Sequence, residues 1–154
     1  MQHSKPYSEQ VKRVRLIIGM SGASGVIYGI RLLQVLQQNS DIETHLVMSD
    51  SAKLNIAVET EFSPKDVLAM ADHVHSNKDI GATIASGSFT SDGMIIAPCS
   101  IKTLSAVANC YADSLIVRAA DVMLKERRRL VLVPRETPLH TGHCELLLRA
   151  SQNG

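Results

Sequence analysis

The stretch Arg15-Leu-Ile-Ile-Gly-Met-Ser-Gly-Ala-Ser-Gly25 constrains this chain more than any other. An apolar run breaks into a tight Gly/Ser turn and then enters a helical pattern. It reads as a buried strand, a turn and a helix start. Such a layout can cradle a phosphate, because glycines let the backbone approach an anion and the first N–H groups of the helix point at it. The spacing is Gly-x-x-Gly-x-x-Gly through Gly19, Gly22 and Gly25. It is not the Gly-x-Gly-x-x-Gly of the dinucleotide fingerprint. Ser21 and Ser24 put hydroxyls where a dinucleotide site keeps bare backbone. Taken alone, the turn is readable as a cradle for a phosphorylated small ligand or as a structural bend.

A chain of 154 residues with a 45% hydrophobic fraction suits one packed domain. At this size folding buries roughly 70% of the unfolded surface. There is no Trp, and there are only three Tyr and two Phe, so an aromatic stacking platform for nucleic acid is not expected. The net charge of +1 implies no polyanion field. The basic block Lys125-Glu-Arg-Arg-Arg129 is readable as a solvated helix end. Three unclustered cysteines, Cys99, Cys110 and Cys144, fit reduced thiols in a cytoplasmic protein. Residues 1–12 form a polar tail without the apolar core of a secretory signal, and no apolar run is as long as a membrane span.

Apolar runs alternate with helical patterns, which predicts an α/β fold with a mainly parallel sheet. Strands are expected near Val14–Gly19, Thr44–Met48, Gly93–Ala97 and Leu130–Val133. Helices are expected from Val26, from about Ser51 to Glu59, from Ser63-Pro64 to about Ala71, after Ser100, from Asp113 to about Glu126, and from Thr141. His73 to Ser91 is polar and reads as the longest irregular stretch. An open sheet normally continues past the last of these helices, so the chain reads as a fragment of a longer domain.

Ligands of open α/β sheets bind beyond the carboxyl ends of the strands. The four expected strand ends carry Gly22-Ala-Ser24, Ser49, Pro98-Cys-Ser100 with Thr103 one turn on, and Arg135-Glu136. Together they describe one site lined by hydroxyl and amide donors with an arginine. FMN suits it, because its phosphate, ribityl and ring edges need many neutral donors. Ser49 and Ser100 are equally readable as helix caps, Thr103 as helix surface and Arg135 as a surface charge.

Arg118 and Lys125 are seven residues apart on one expected helix and share a face, where two cations can hold a phosphate. The alternative is an ion-pair ladder through Asp121. Glu59 closes a helix, where the dipole opposes a carboxylate, which suits a proton-transfer group; a solvated helix end is the alternative. His140, His143 and Cys144 match no zinc spacing, and no metal is expected.

The chain resembles the UbiX-like flavin prenyltransferases, formerly described as aromatic acid decarboxylases. The resemblance rests on Gly19-Met-Ser-Gly-Ala-Ser-Gly25, Thr44-His-Leu-Val-Met-Ser49, Ser86-Gly-Ser-Phe89, Pro98-Cys-Ser-Ile-Lys-Thr-Leu-Ser105, Arg118-Ala-Ala-Asp121, Leu124-Lys-Glu-Arg-Arg128 and Leu130-Val-Leu-Val-Pro-Arg-Glu-Thr-Pro-Leu139. These cover essentially everything from Val14 onward, in order, and are closest to the bacterial ubiquinone-pathway type. The resemblance implies a flavodoxin-like (Rossmann-like) open parallel sheet with helices on both faces, and a flavoprotein domain over residues 13–154 that lacks its last strand and helix. It implies joining a dimethylallyl group from dimethylallyl phosphate to N5 and C6 of reduced FMN, without a metal. The product serves UbiD-type decarboxylases.

Carried over by position, the resemblance implies FMN contacts at Gly22, Ala23, Ser24, Ser49, Ser100, Ile101, Lys102, Thr103 and Arg135. It implies proton handling by Ser24 and Glu59, a carboxylate near the leaving group at Glu136, and substrate-phosphate cations at Arg118 and Lys125. Homo-oligomers, dodecamers in the family, are implied as well. The family's further strand and helix bring a Tyr and a basic residue to the same phosphate, and both would lie past Gly154. The loop before Ser86 lacks the Trp of some relatives. A non-catalytic FMN-binding module is the alternative reading. A cysteine-decarboxylase reading needs a His after the second strand and an Asn motif after the third; here those places read Ser49-Asp-Ser-Ala-Lys53 and Pro98-Cys-Ser100.

Overall fold

The computed structural model describes residues 12–154, so the expected polar tail lies, Lys12 apart, outside the described residues. Five strands form one all-parallel sheet: β1 (Val14–Met20), β2 (Ile42–Met48), β3 (His73–Ser76), β4 (Gly93–Cys99) and β5 (Arg129–Pro134). Their order is β3-β2-β1-β4-β5. The helices are α1 (Val26–Leu36), α2 (Asp50–Glu59), α3 (Pro64–Leu68), α4 (Ile101–Ala108), α5 (Leu115–Lys125) and α6 (Thr141–Asn153). This is the α/β parallel sheet that the alternation of apolar runs and helical patterns predicts, and the flavodoxin-like fold that the resemblance implies.

Side chains alternate across each strand, so the sheet carries two cores. Ile18, Met20, Leu46 and Met48 meet Val26, Ile30 and Leu33 of α1, Ile56 of α2 and Val67 of α3. Ile17, Val47, Met94 and Ile96 face the other way, onto Leu104 and Val107 of α4 and the apolar face of α5, with Leu146 and Leu147 of α6 at the margin. Burial on both faces is why β1, β2 and β4 read as apolar runs. Each fully buried aliphatic side chain stabilises the fold by about 1.5–3 kcal/mol.

The chain leaves β1 through α1 on one face and leaves β4 through α4 and α5 on the other. The neighbours β1 and β4 therefore mark the point where connections diverge, and a crevice opens at their carboxyl ends.

Three expectations are corrected. The irregular stretch from His73 contains β3, an edge strand in parallel register with β2, and a 3-10 turn at Thr83–Ala85. The only aliphatic residue of β3, Val74, is 48% exposed, and the alternate positions are His73 and His75, so apolar periodicity could not reveal the strand. Helix α5 is capped by Ser114, whose hydroxyl accepts from the Val117 N–H at 3.5 Å; the Asp113 N–H is turned back onto the Tyr111 carbonyl. Helix α3 ends at Leu68 rather than near Ala71.

Candidate functional site

The Gly/Ser turn is held from three sides. Ser21 is 1% exposed; its hydroxyl donates to the Pro98 carbonyl at 3.1 Å and accepts from the Ser100 N–H at 2.8 Å. It stitches the end of β1 to the end of β4. Asn55 of α2 donates to the Ala23 carbonyl at 3.1 Å. Glu59 accepts from the Gly25 N–H at 2.9 Å and from the Val26 N–H at 3.4 Å. Gly25, the N-cap of α1, has φ 93°, a left-handed conformation that glycine adopts without strain. Among the described residues, the Gly22 and Ser24 N–H groups and the Ser24 hydroxyl take no protein partner, and Ser24 is exposed.

The cap readings of Ser49 and Ser100 hold. Ser49 accepts from the Ala52 N–H at 3.1 Å. Ser100 accepts from the Thr103 N–H at 3.2 Å and donates to the Thr103 hydroxyl at 3.1 Å. Both serines also stand at the crevice, so capping and lining are one arrangement. The first-turn N–H groups of α2 and α4 have no intrahelical acceptor and suit an anion. Arg135 is anchored by its own N–H, which donates to the Cys99 carbonyl at 3.2 Å. Its guanidine Nε lies 3.9 Å from where a Cβ at Gly25 would stand, so the side chain reaches across the Gly/Ser turn.

Two clefts result, of about 310 and 290 Å³, which share Gly22 and Ser100. Ser49, Lys102 and Thr103 line the first. Ala23, Ser24, Ile101, Arg135 and Glu136 line the second. All nine expected cofactor-contact positions thus border this paired crevice. Ser51, Asn77, Lys78 and Ser114 also line the first cleft and are not among the expected site residues. Asn77 follows β3 and caps α5: its side-chain oxygen accepts from the Ile116 N–H at 3.0 Å, and its carbonyl from the Leu115 N–H at 2.9 Å. Recognising β3 would have pointed to it, since a fifth strand end reaches the same edge.

Glu59, Arg118 and Lys125 line neither cleft. Glu59 closes α2, but its carboxylate meets the N-terminus of α1, so a favourable dipole replaces the expected opposing one. Arg118 pairs with Asp121 at 2.9 Å and donates to the Ala85 carbonyl at 3.2 Å. Lys125 pairs with Glu126 instead of Asp121, so only half of the alternative ion-pair ladder forms. The Lys125 ammonium approaches Gly87, so both cations face the segment from Ala85 to Gly87. Glu136 accepts from the Thr137 N–H at 3.1 Å. Burial pushes the Cys99 thiol up to about 12, so the cysteine at the end of β4 is no thiolate nucleophile.

His140 and His143 stack at 3.6 Å, and among the described residues no third ligand converges with them. Among the described residues, convergence of metal-ligand atoms occurs instead at Glu43, His45 and His73, within the sheet.

The Flavoprotein family model matches residues 4–150. The chain is 62% identical over 141 residues to the flavin prenyltransferase UbiX of Thauera aromatica, a match covering 92% of this chain and 72% of that protein. It superimposes with a TM-score of 0.90 on a dodecameric FMN-dependent UbiX-like decarboxylase from Escherichia coli O157:H7, at 54% identity over 91% of this chain and 76% of that one. The TM-score is also 0.90 to AnUbiX (PadA1) in complex with FMN and dimethylallyl pyrophosphate, at 50% identity over 92% of this chain and 75% of that one. With a crevice of this composition and relatives this similar along most of their length, the chain belongs to the Flavoprotein family and, within it, to the UbiX-like flavin prenyltransferases.

Proposed function

We propose that this chain is a cytoplasmic flavin prenyltransferase that binds FMN in the paired crevice and transfers the dimethylallyl group of dimethylallyl phosphate to N5 and C6 of reduced FMN. The product is read as the cofactor of UbiD-type decarboxylases in ubiquinone biosynthesis. One observation carries the reading: Gly22 and Ser100 join two clefts lined by unpaired N–H groups, hydroxyls, Lys102 and Arg135. Among the described residues no helix is long and apolar enough to cross a membrane.

The donor set fits FMN. The open N-termini of α2 and α4 with Lys102 suit its phosphate, and the second cleft offers Ser24 and Arg135 to the ring edge. Reduced FMN, when bound, supplies the nucleophilic ring positions. Ser24 is free to hold or move a proton, because its hydroxyl is unpartnered. Glu59 positions Ser24 by fixing the next two backbone N–H groups. Loss of phosphate from an allylic carbon leaves charge on the departing group, which cations neutralise and an acid protonates. Glu136 is read as that acid, and Arg118 and Lys125 as the cations. Since both cations stand off the clefts of the single chain, their role requires them to leave Asp121 and Glu126, or a site shared between subunits of a homo-oligomer. A homo-oligomer, as in the dodecameric relative, would make the second route available.

The test is incubation under reducing conditions with FMN and dimethylallyl monophosphate. The flavin is expected to gain the mass of one five-carbon prenyl unit and to change its absorption. FMN binding with no gain in mass would favour the non-catalytic module.

A further inference from the structure

Glu43 and His45 on β2, and His73 and His75 on β3, occupy alternate positions, so all four side chains share one face. The parallel register sets His45 beside His73. His45 Nε2 lies 2.9 Å from Glu43 Oε1, and His73 Nε2 lies 3.6 Å from the same oxygen. One ligand atom from each of these three residues falls within 4.8 Å of the others. Zinc at its usual bond lengths in tetrahedral geometry holds ligand atoms about 3.3 Å apart. The His45 and His73 rings stack at 4.5 Å with planes 20° apart, so the exposed His73 ring must turn for both nitrogen lone pairs to meet one ion.

The surroundings suit a metal-bound imidazole. His45 is only 4% exposed. Its second nitrogen, Nδ1, lies 3.0 Å from His75 Nε2, an outer partner of the kind that fixes the tautomer of a ligating histidine. The Phe89 ring meets His45 edge-on at 5.0 Å and covers it. Among the described residues Arg15 competes for Glu43, its Nε lying 3.2 Å from Oε1; it has the second carboxylate oxygen to move to. None of these residues lines the paired crevice.

We propose that Glu43, His45 and His73 form a binding site for one divalent first-row transition-metal ion of the zinc type, with a fourth position open to water. Two imidazoles and a carboxylate are ligands that zinc accepts. The ion would staple the edge strand β3 to β2. Because Asn77 follows β3 and caps α5 at the wall of the first cleft, the staple would stiffen that wall without entering the chemistry.

The test uses tag-free full-length protein stripped with a chelator and dialysed against Zn²⁺ near neutral pH, with bound metal counted. One equivalent is expected, with a rise in the thermal midpoint, and Co²⁺ in its place should give visible absorption of a low-coordinate site. His73→Asn should abolish the stoichiometric uptake; this side chain is 52% exposed on an edge strand, so the metal-free midpoint should hardly move. His75→Ala should weaken binding by about 10–100-fold. His140→Ala should leave uptake intact. No bound equivalent, uptake that survives His73→Asn, or uptake lost in His140→Ala overturns the site. No arm of the test depends on flavin chemistry.

Discussion

The Ser21 hydroxyl and the Ser100 N–H lie 2.8 Å apart, and that bond closes the crevice between β1 and β4 from below. The same hydroxyl donates to Pro98, so one buried side chain joins two strands that are 77 residues apart in sequence. Ser21→Ala removes the acceptor of the part-buried Ser100 N–H and the hydroxyl that donates to Pro98. A cost of about 1–3 kcal/mol is expected, read as a lower urea midpoint, together with weaker FMN binding. An unchanged midpoint would mean that the two strand ends are held by packing alone.

Gly22 faces Ser51 so closely that an added Cβ would stand 2.4 Å from the Ser51 Cβ, well inside contact distance. Gly22→Ala should therefore distort the turn and lower FMN affinity, with an overpacking cost of about 1–3 kcal/mol. Ser51→Gly in that background removes the obstacle and should restore much of the affinity. A double variant no better than the single would show that Gly22 serves the ligand directly.

Glu59 accepts from Gly25 and Val26 at the start of α1. Glu59→Ala should cost about 0.5–2 kcal/mol, as a lost helix cap does. Glu59→Gln keeps an acceptor oxygen and should stay near the parent stability. Prenylation lost in Glu59→Gln at an unchanged melting midpoint would assign the carboxylate a proton role; prenylation retained would leave it a positioning role only.

Cys99 is fully buried and its thiol is pushed up to about 12, whereas Cys110 and Cys144 are exposed. A thiol reagent at pH 8 should modify Cys110 and Cys144 in the native protein and Cys99 only after denaturation. Rapid native labelling of Cys99, located by peptide mass, would contradict the packing of β4 under α4.

Helix α3 opens on a reciprocal cap. Ser63 donates from its hydroxyl and its N–H to Asp66, at 2.6 and 2.9 Å. These bonds, the side-chain one foremost, hold the Asp66 carboxyl below the usual aspartate range. Because the folded value lies below the unfolded one, this support is present above about pH 4 and is lost as pH falls through the folded value. A carbon-detected titration should show Asp66 returning toward the ordinary range in Ser63→Ala; the same curve in both proteins would remove the cap as the cause.

Much of the crevice was legible because it is built from strand ends, and β1, β2, β4 and β5 announce themselves as apolar runs. Gly22, Ser24, Ser49, Ser100 and Arg135 follow those runs directly, so position in sequence implied position at the edge. Strand β3 was hidden, because an edge strand needs only one paired side and here the residues on the His45 face are His73, which is exposed, and His75, which is half-buried. With it went Asn77 and Lys78 as lining residues.

What the sequence determined by itself was local: the periods that select strand or helix, the caps at Ser49, Ser63 and Ser100, and the left-handed turn that Gly25 allows. These depend on neighbours a few residues away. Only the tertiary structure decided which groups meet across the sheet. It turned the Glu59 carboxylate to the start of α1, buried Ser21 between two strands, gave Arg118 to Asp121 and Lys125 to Glu126, and set His73 beside His45. Each of those outcomes follows from strand order, register or the length of a side chain, and none is written in the spacing of residues along one element.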